Sequence, residues 1–208
     1  MIKTIVFDIG NVVWNYEPPF LPFHHNLALL LNISSQTYQQ EYLRVYQKFQ
    51  TNHLRLLSWC QMFNPKIDQE LLDDLLSRFL SPDIIQKYLN HDVVNLIQNL
   101  KKTHIVGYLS NGENYLIPYV YRHLDPFFHF GIVSSQVGLR KPDPLIYQEI
   151  FKYTDCQHGE VVFVDDKSEN ITSVKNLGIN SILFTDYKQL LADLSLYLPK
   201  NFYENQKS

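Results

Sequence analysis

Short runs of apolar, mostly β-branched residues that end abruptly at polar or glycine residues set the pattern of this chain. Four are clear, at Thr4–Phe7 and at residues 104–109, 161–164 and 181–184, and a weaker one lies at residues 130–134. The runs do not alternate with polar residues, which is typical of strands buried on both faces of a parallel sheet. The chain is therefore predicted to contain a buried parallel sheet.

Helical patterns separate these runs, at residues 92–101, 144–153, Ser168–Asn176 and 187–197. Strands that alternate with helices predict an α/β fold with a doubly wound, Rossmann-like parallel sheet. With 208 residues, the chain is long enough for one such core and a small insert.

The alternation is interrupted once, between the first and second predicted strands. This segment carries helical spacing broken by prolines and asparagines, with predicted helices at residues 27–31, 36–49, 53–62, Gln69–Phe79 and 83–89. We therefore predict a core domain at residues 1–16 and 91–200, an all-helical cap domain at 17–90 and a flexible tail at 201–208. An insert at this point is a candidate lid over the end of the first strand.

Composition and charge exclude several classes of protein. The net charge is −3 and the 18 basic residues are scattered, whereas a nucleic-acid-binding protein needs a basic face. Cys60 and Cys156 form no CxxC motif, which favours a reducing compartment. The chain shows no secretory signal, and no apolar run approaches the ~20 residues that span a bilayer. We expect a cytoplasmic protein without a nucleic-acid or membrane partner.

The first strand leads into Asp8, and Gly10 follows two positions later in the segment FDIGNVV. Open α/β sheets bind their ligands at the carboxyl ends of the strands, so Asp8 is a candidate nucleophile or metal ligand. An aspartate before a glycine is also common in turns, and Asp8 alone leaves both interpretations open.

Polar residues follow the other predicted strands as well. Ser110 and Asn111, beside a glycine, can donate to phosphate oxygens or form a simple turn. Lys141 lies between prolines and either neutralises an anion or is merely solvated. Asp165 and Asp166 repel each other and so favour a hard cation such as Mg²⁺ beside them, although either residue could cap a helix.

Together these residues place one nucleophile, one hydroxyl, one cation and a pair of metal ligands at one edge of the predicted sheet. This set suits phosphoryl transfer through an aspartyl-phosphate. Asp8 would attack, while Mg²⁺ and Lys141 would hold the charge on the equatorial oxygens.

The order Asp8, Ser110, Lys141, Asp165-Asp166 resembles the four-motif signature of the haloacid dehalogenase-like hydrolase superfamily. The helical insert is similar to the first class of cap in that superfamily, and the resemblance extends from residue 3 to about residue 187.

The resemblance implies a role for each matching residue. Asp8 would be phosphorylated and would bind Mg²⁺ through its other oxygen, with the backbone carbonyl of Gly10 as a further ligand. Asp166 would bind the metal directly, and Asp165 directly or through water. The transferring phosphoryl group would be bound by Ser110, Asn111 and Lys141.

One position departs from the family pattern. Most phosphatases of the family carry a second aspartate, the general acid/base, where this chain has Gly10. FDIGNVV, RKPDPLIYQ and VFVDDKSENI resemble a smaller branch with glycine there, which includes bacterial sugar-phosphate phosphatases similar to glucose-1-phosphatase. Loss of this acid should cost about 10²–10⁴-fold in rate. Glu17, His24 and His25 are candidates to replace it, although for His24 and His25 a pair of ordinary exposed or edge histidines is the simpler interpretation.

The predicted function is a Mg²⁺-dependent phosphatase for a small phosphorylated metabolite, most simply a sugar phosphate, and a monomer is compatible with the sequence. Gly10 favours an alternative, a catalytically weak or inactive binding protein with the same fold. A metal-free haloacid dehalogenase is disfavoured, because no arginine precedes Arg44 and Asp165-Asp166 would have no metal. The insert is rich in aromatic residues that suit sugar stacking but also suit a cap core: Tyr38, Tyr42, Tyr46, Phe49, Trp59 and Phe63.

Overall fold

A computed structural model describes residues 1–199, in which five parallel strands form one sheet with the order β3-β2-β1-β4-β5. The strands are β1 (Thr4–Phe7), β2 (Ile105–Ser110), β3 (Phe130–Val133), β4 (Val161–Asp165) and β5 (Asn180–Leu183). Every neighbouring pair is parallel. The doubly wound α/β prediction is confirmed, including the weaker strand at residues 130–134.

The central strand β1 is buried on both faces because its successive side chains enter two different hydrophobic clusters. Ile5 and Phe7 pack in one cluster, together with residues of the helical segments that flank β2. Val6 packs in the other cluster, with Tyr147 and Ile171. Because both faces of the strand are buried in this way, its sequence is continuously apolar.

Five helices lie between β1 and the helix that precedes β2. They are α1 (Glu17–Leu31), α2 (Ser35–Gln50), α3 (Leu56–Gln61), α4 (Gln69–Phe79) and α5 (Pro82–Lys87). Ser34, Asp68 and Ser81 begin α2, α4 and α5, and each side chain accepts a hydrogen bond from a backbone N–H of the first turn. Within the described chain this segment contains no strand, so the predicted all-helical insert is confirmed as part of the fold.

The remaining helices surround the sheet. They are α6 (His91–Leu100), α7 (Arg122–Leu124), α8 (Ser134–Val137), α9 (Pro144–Gln148), α10 (Ser168–Asn176) and α11 (Tyr187–Leu194). Short 3₁₀ segments lie at Asn114–Leu116, Asp125–Phe127, Glu149–Lys152 and His158–Glu160, and a π-helical turn lies at Ile117–Tyr121. No helix of residues 1–199 has both the length and the apolar character that crossing a bilayer requires.

Several helix bounds differ from those predicted. The first insert helix begins at Glu17 and not at residue 27, because prolines are tolerated in the first turn, where N–H groups have no helical acceptor. The predicted helix at 53–62 begins only at Leu56, and Asn52 before it has a left-handed φ of 59°. The helix predicted at 144–153 changes to 3₁₀ geometry after Gln148, and that at 187–197 ends at Leu194.

The division of the chain into a core domain and a cap domain at residues 17 and 90 stays a prediction. Residue 200 of the predicted core and the predicted tail at 201–208 lie outside the described residues.

Candidate active site

The parallel register brings three of the sequence motifs to one edge of the sheet. Phe7 of β1 is paired with Tyr108 of β2 and with Val164 of β4. The residues that follow in each strand are therefore neighbours, and the Asp8 N–H donates to the carbonyl oxygen of Val164 at 2.8 Å. Asp8, Ser110 and Asp165 meet because the strands that carry them end together.

Lys141 lies between two buried carboxylates. Its ammonium is 2.8 Å from Asp8 Oδ1 and 2.7 Å from Asp165 Oδ2, and the side chains of Lys141, Asp8 and Asp165 are 2%, 9% and 0% exposed. Asp8 Oδ1 also accepts a hydrogen bond from the Ile9 N–H at 2.7 Å. Within residues 1–199 the contacts of the Asp8 carboxylate are made through Oδ1, and no hydrogen bond reaches Oδ2.

The Lys141 backbone is gripped by the Asn111 side chain. The Asn111 amide nitrogen donates to the Lys141 carbonyl oxygen at 2.9 Å, and its oxygen accepts from the Lys141 N–H at 2.8 Å. The amide therefore positions the loop that carries Lys141, while the predicted phosphate-binding role of Asn111 stays a prediction. Ser110 is buried, and its hydroxyl is 3.0 Å from the Tyr121 hydroxyl.

Three acidic side chains form a group with the spacing of metal ligands. Asp8, Asp165 and Asp166 each offer an oxygen, and these oxygens lie within 4.8 Å of one another. The Asp166 Oδ2 atom accepts a 3.2 Å hydrogen bond from Asn11. Buried Oδ1 of Asp166, in contrast, has no hydrogen-bond partner in the described part of the chain. An unpartnered carboxylate oxygen beside two further carboxylates fits a hard divalent cation such as Mg²⁺.

Asp165 differs from Asp166 in that donors already surround it. Besides Lys141, Asp165 accepts hydrogen bonds from the Asn170 amide at 2.9 and 3.0 Å and from the Lys167 N–H at 2.8 Å. Asn170 is 1% exposed and lies in the first turns of α10. The sequence interpretation missed Asn170, although a polar residue on a helix directly after the Asp pair was a usable signal.

Tyr16 occupies the space beside Gly10. A Cβ at Gly10 would lie 3.3 Å from Cε1 and 3.4 Å from Cδ1 of the Tyr16 ring, which is tighter than ordinary contact. A side chain at this position would require the ring to shift by a few tenths of an ångström. The Tyr16 ring therefore lies next to the space that a side chain at position 10 would occupy.

The three candidates for a replacement acid differ in their surroundings. Glu17 and His24 line the same cleft as Asp8, whereas exposed His25 does not. His24 Nδ1 lies 2.6 Å from the Tyr38 hydroxyl, and burial lowers the pKa of His24 to about 4. A neutral imidazole at pH 7 is a poor proton donor, so His24 is not suited to the role of general acid.

A cleft of about 620 Å³ lies between the insert and the carboxyl ends of the strands, a volume suited to a small molecule. Its insert wall includes Phe20, Tyr42, Tyr46 and Gln50. The other predicted aromatics belong to or pack against the hydrophobic core: Tyr38, Phe49, Trp59 and Phe63. Of the six aromatic residues singled out in the sequence, Tyr42 and Tyr46 therefore line the cleft, and the other four belong to the hydrophobic core or pack against it.

Fold and site together define an α/β protein in which a helical insert faces a buried aspartate, a lysine and an acidic cluster able to hold a metal. The family model for haloacid dehalogenase-like hydrolases matches residues 2–178. The chain belongs to this family, and the resemblance of its four motifs to the superfamily is confirmed. The resemblance to the branch with glycine at position 10 stays a prediction.

Known relatives match shorter stretches of the chain. Bifunctional epoxide hydrolase 2 of Sus scrofa is 39% identical over 71 residues, which are 34% of this chain and 13% of the relative. Sesquiterpene phosphatase astK of Aspergillus oryzae is 39% identical over 57 residues, which are 27% of this chain and 29% of the relative. The matched part is thus less than a third of either relative.

Solved structures match nearly the whole chain. One is a HAD family enzyme from Bacteroides thetaiotaomicron, solved in complex with magnesium and inorganic phosphate, with a TM-score of 0.65 and 15% identity. The alignment covers 91% of this chain and 99% of that chain. At this identity the similarity shows the fold.

Proposed function

We propose that this protein is a Mg²⁺-dependent phosphatase that hydrolyses a small phosphorylated metabolite through an aspartyl-phosphate on Asp8. The observation that carries the proposal is the arrangement of Asp8, whose Oδ1 is held by buried Lys141 while Oδ2 accepts no hydrogen bond within residues 1–199. An activated carboxylate next to a fixed cation is what attack on a phosphoryl group requires.

The other residues supply binding and positioning. Ser110 would donate to the phosphoryl oxygens, and Lys141 would pair with their charge. Mg²⁺ would be held by Asp8, Asp165, Asp166 and the Gly10 carbonyl, and it would neutralise charge on the phosphoryl group. In support, the acidic cluster has the spacing of metal ligands and Asp166 has an unpartnered oxygen.

The comparisons support the same reaction. The Bacteroides thetaiotaomicron structure holds magnesium and inorganic phosphate on the same fold, and the Aspergillus oryzae relative is named a phosphatase. For the substrate we propose a small metabolite, with sugar phosphates first, because the aromatic side chains of Tyr42 and Tyr46 line the cleft on the insert side. We place the protein in the cytoplasm.

A catalytically weak binding protein is the second candidate, and Tyr16 over Gly10 is the observation that favours it. The two candidates predict different outcomes in a screen of aryl phosphates, sugar phosphates and nucleotides, run with Mg²⁺ and with excess chelator. The phosphatase releases phosphate only with Mg²⁺. Calorimetric binding of Mg²⁺ and phosphate without turnover of any compound would support the binding protein instead.

The affinity for Mg²⁺ should depend on pH through Asp8. Burial raises the pKa of Asp8 from 3.8 to about 6, against the lowering effect of Lys141. Because the folded-state pKa lies above the ordinary value, Asp8 keeps its proton up to about pH 6, and that proton competes with the metal. Below this pH we expect the Mg²⁺ affinity to fall by about tenfold for each pH unit.

Calorimetric titration of Mg²⁺ between pH 5 and 7.5 measures this dependence. The matched control is Asp8→Asn, which should bind Mg²⁺ more weakly at neutral pH and with a flatter pH profile. An affinity of the wild type that does not change across this range would show that Asp8 does not bind the metal.

A further inference from the structure

The proposed phosphatase still needs a group that donates a proton to the leaving oxygen, since Gly10 cannot. Outside the acidic cluster, the described residues place three carboxyl groups along the cleft, those of Glu17, Glu113 and Glu169. Glu17 and Glu169 are exposed, whereas Glu113 is half-buried. Half-burial favours a carboxyl that keeps its proton.

Glu113 is held in place by the insert. It follows Ser110 and Asn111 on the loop after β2, and its Oε1 accepts a 3.0 Å hydrogen bond from the side-chain amide of Gln50. Gln50 is the last residue of α2 and is 7% exposed. Its amide oxygen in turn accepts a 3.3 Å hydrogen bond from Arg140. Gln50 of the insert thus links Arg140 to the Glu113 carboxyl through two hydrogen bonds.

Glu113 lines the same cleft as Asp8 and Ser110. The Tyr121 hydroxyl contacts the Ser110 hydroxyl, and the negative charges of Glu113 and Asp8 both contribute to the raised pKa of Tyr121. A phosphoryl group bound between Asp8 and Ser110 would therefore share the cleft with the Glu113 carboxyl, which is bound by Gln50 of the insert.

The groups around Glu113 have opposing effects on the pKa of its carboxyl. Burial raises the pKa of its carboxyl, while its own N–H, the Gln50 amide, Lys167 and Arg140 lower it, and the net direction is upward. The charge of Glu113 in turn contributes to raising the pKa of five tyrosines: Tyr16, Tyr38, Tyr42, Tyr115 and Tyr121. Burial thus shifts this carboxyl toward the protonated form that a general acid needs.

We propose that Glu113 is the general acid and base of the reaction, in place of the acid that Gly10 lacks, and this assignment rests on the proposed phosphatase function. In the first step Asp8 forms a bond to phosphorus while the bond from phosphorus to the leaving oxygen breaks. The leaving oxygen keeps that electron pair and takes the proton of Glu113.

In the second step a water molecule attacks phosphorus and gives a proton to the Glu113 carboxylate. The bond between Asp8 and phosphorus breaks, Asp8 keeps the electron pair, and inorganic phosphate leaves. Both residues return to their starting protonation states. Gln50 is a positioning residue, because it fixes the carboxyl only while α2 lies against the loop.

The test compares Glu113→Gln with the wild type on two substrates that differ in leaving group. The amide keeps an oxygen for the Gln50 hydrogen bond but has no proton of suitable pKa to give. For an alkyl phosphate such as glycerol phosphate, kcat/KM should fall by about 10²–10³-fold. For p-nitrophenyl phosphate, whose leaving group needs no proton, kcat/KM should stay within about threefold, with an initial burst of nitrophenol because the second step is slowed.

The matched comparison is Glu17→Gln, which removes the exposed carboxyl at the rim of the same cleft and should affect both substrates equally. An equal effect of Glu113→Gln on both substrates, or a selective loss in Glu17→Gln, overturns the assignment. Thermal unfolding of each variant separates misfolding from chemistry, and Glu113→Asp should recover part of the alkyl phosphate activity. A wild type without Asp8-dependent phosphate release overturns the proposed function itself, which is a distinct result.

Discussion

Replacing Asp8 with asparagine is expected to lower phosphate release by at least about 10⁴-fold while the protein still folds. The carboxamide has nearly the same shape, but its oxygen does not attack phosphorus. Folding should be preserved because burial raises the pKa of Asp8, which means that its charge is not favoured by the fold. Phosphate release from p-nitrophenyl phosphate with saturating Mg²⁺ measures the effect.

The control for this variant is Asp155→Asn, which changes an exposed aspartate that does not line the cleft. It should keep the full wild-type rate. If Asp8→Asn retained a tenth of the wild-type activity, Asp8 would not be the nucleophile.

Replacing Lys141 with methionine is expected to damage both stability and activity. Asp8 and Asp165 would lose the cation that lies 2.8 and 2.7 Å from them, in a site where all three side chains are buried. Breaking a buried ion pair by removing one partner costs about 3–5 kcal/mol. Loss of the charge that faces the phosphoryl oxygens should also lower kcat by about 10²–10³-fold.

Urea unfolding at neutral pH with chelator measures the stability, and steady-state kinetics measure the activity. The matched control is Lys152→Met, because the Lys152 ammonium pairs with Glu149 at the surface and is mostly exposed. That variant should leave the unfolding midpoint almost unchanged. An equally small effect of Lys141→Met would show that the buried lysine does not hold the two carboxylates.

The sheet was predictable from the sequence because burial on both faces leaves a pattern that needs no partner to be recognised. Val6 packs in one hydrophobic cluster and Phe7 packs in the other, so successive residues of the strand are all apolar. The closeness of Asp8 and Asp165 was likewise predictable, because the carboxyl ends of adjacent parallel strands meet at one edge of the sheet. Local pattern and strand topology were sufficient for these features.

The groups that surround the site were not predictable in this way. Gln50 and Glu113 are 63 residues apart in the sequence, and their contact depends on how α2 packs against the loop after β2. Asn111 resembles a turn residue, yet its amide binds the backbone of Lys141, 30 residues away. Such long-range contacts leave no periodic signal in a single sequence. Tyr16 is only six residues from Gly10, but the loop between them has no periodic pattern that predicts where its ring lies.

The bounds of several helices were also predicted incorrectly from the sequence. Prolines at the start of α1 suggested a break, but they fit the first turn of a helix. Capping by Ser34, Asp68 and Ser81 matches the usual start signals, and there the predicted and observed starts differ by at most one residue. The chemistry of caps was thus a better guide than the presence of proline.

Trapping the covalent intermediate shows directly whether Asp8 is phosphorylated during turnover. Wild-type protein turning over p-nitrophenyl phosphate with Mg²⁺ would be quenched in acid, digested and analysed by mass spectrometry. We expect one phosphoryl group on the peptide that contains Asp8, lost when chelator replaces Mg²⁺ and absent from Asp8→Asn. A phosphoryl group on another residue, or full turnover by Asp8→Asn, would contradict it.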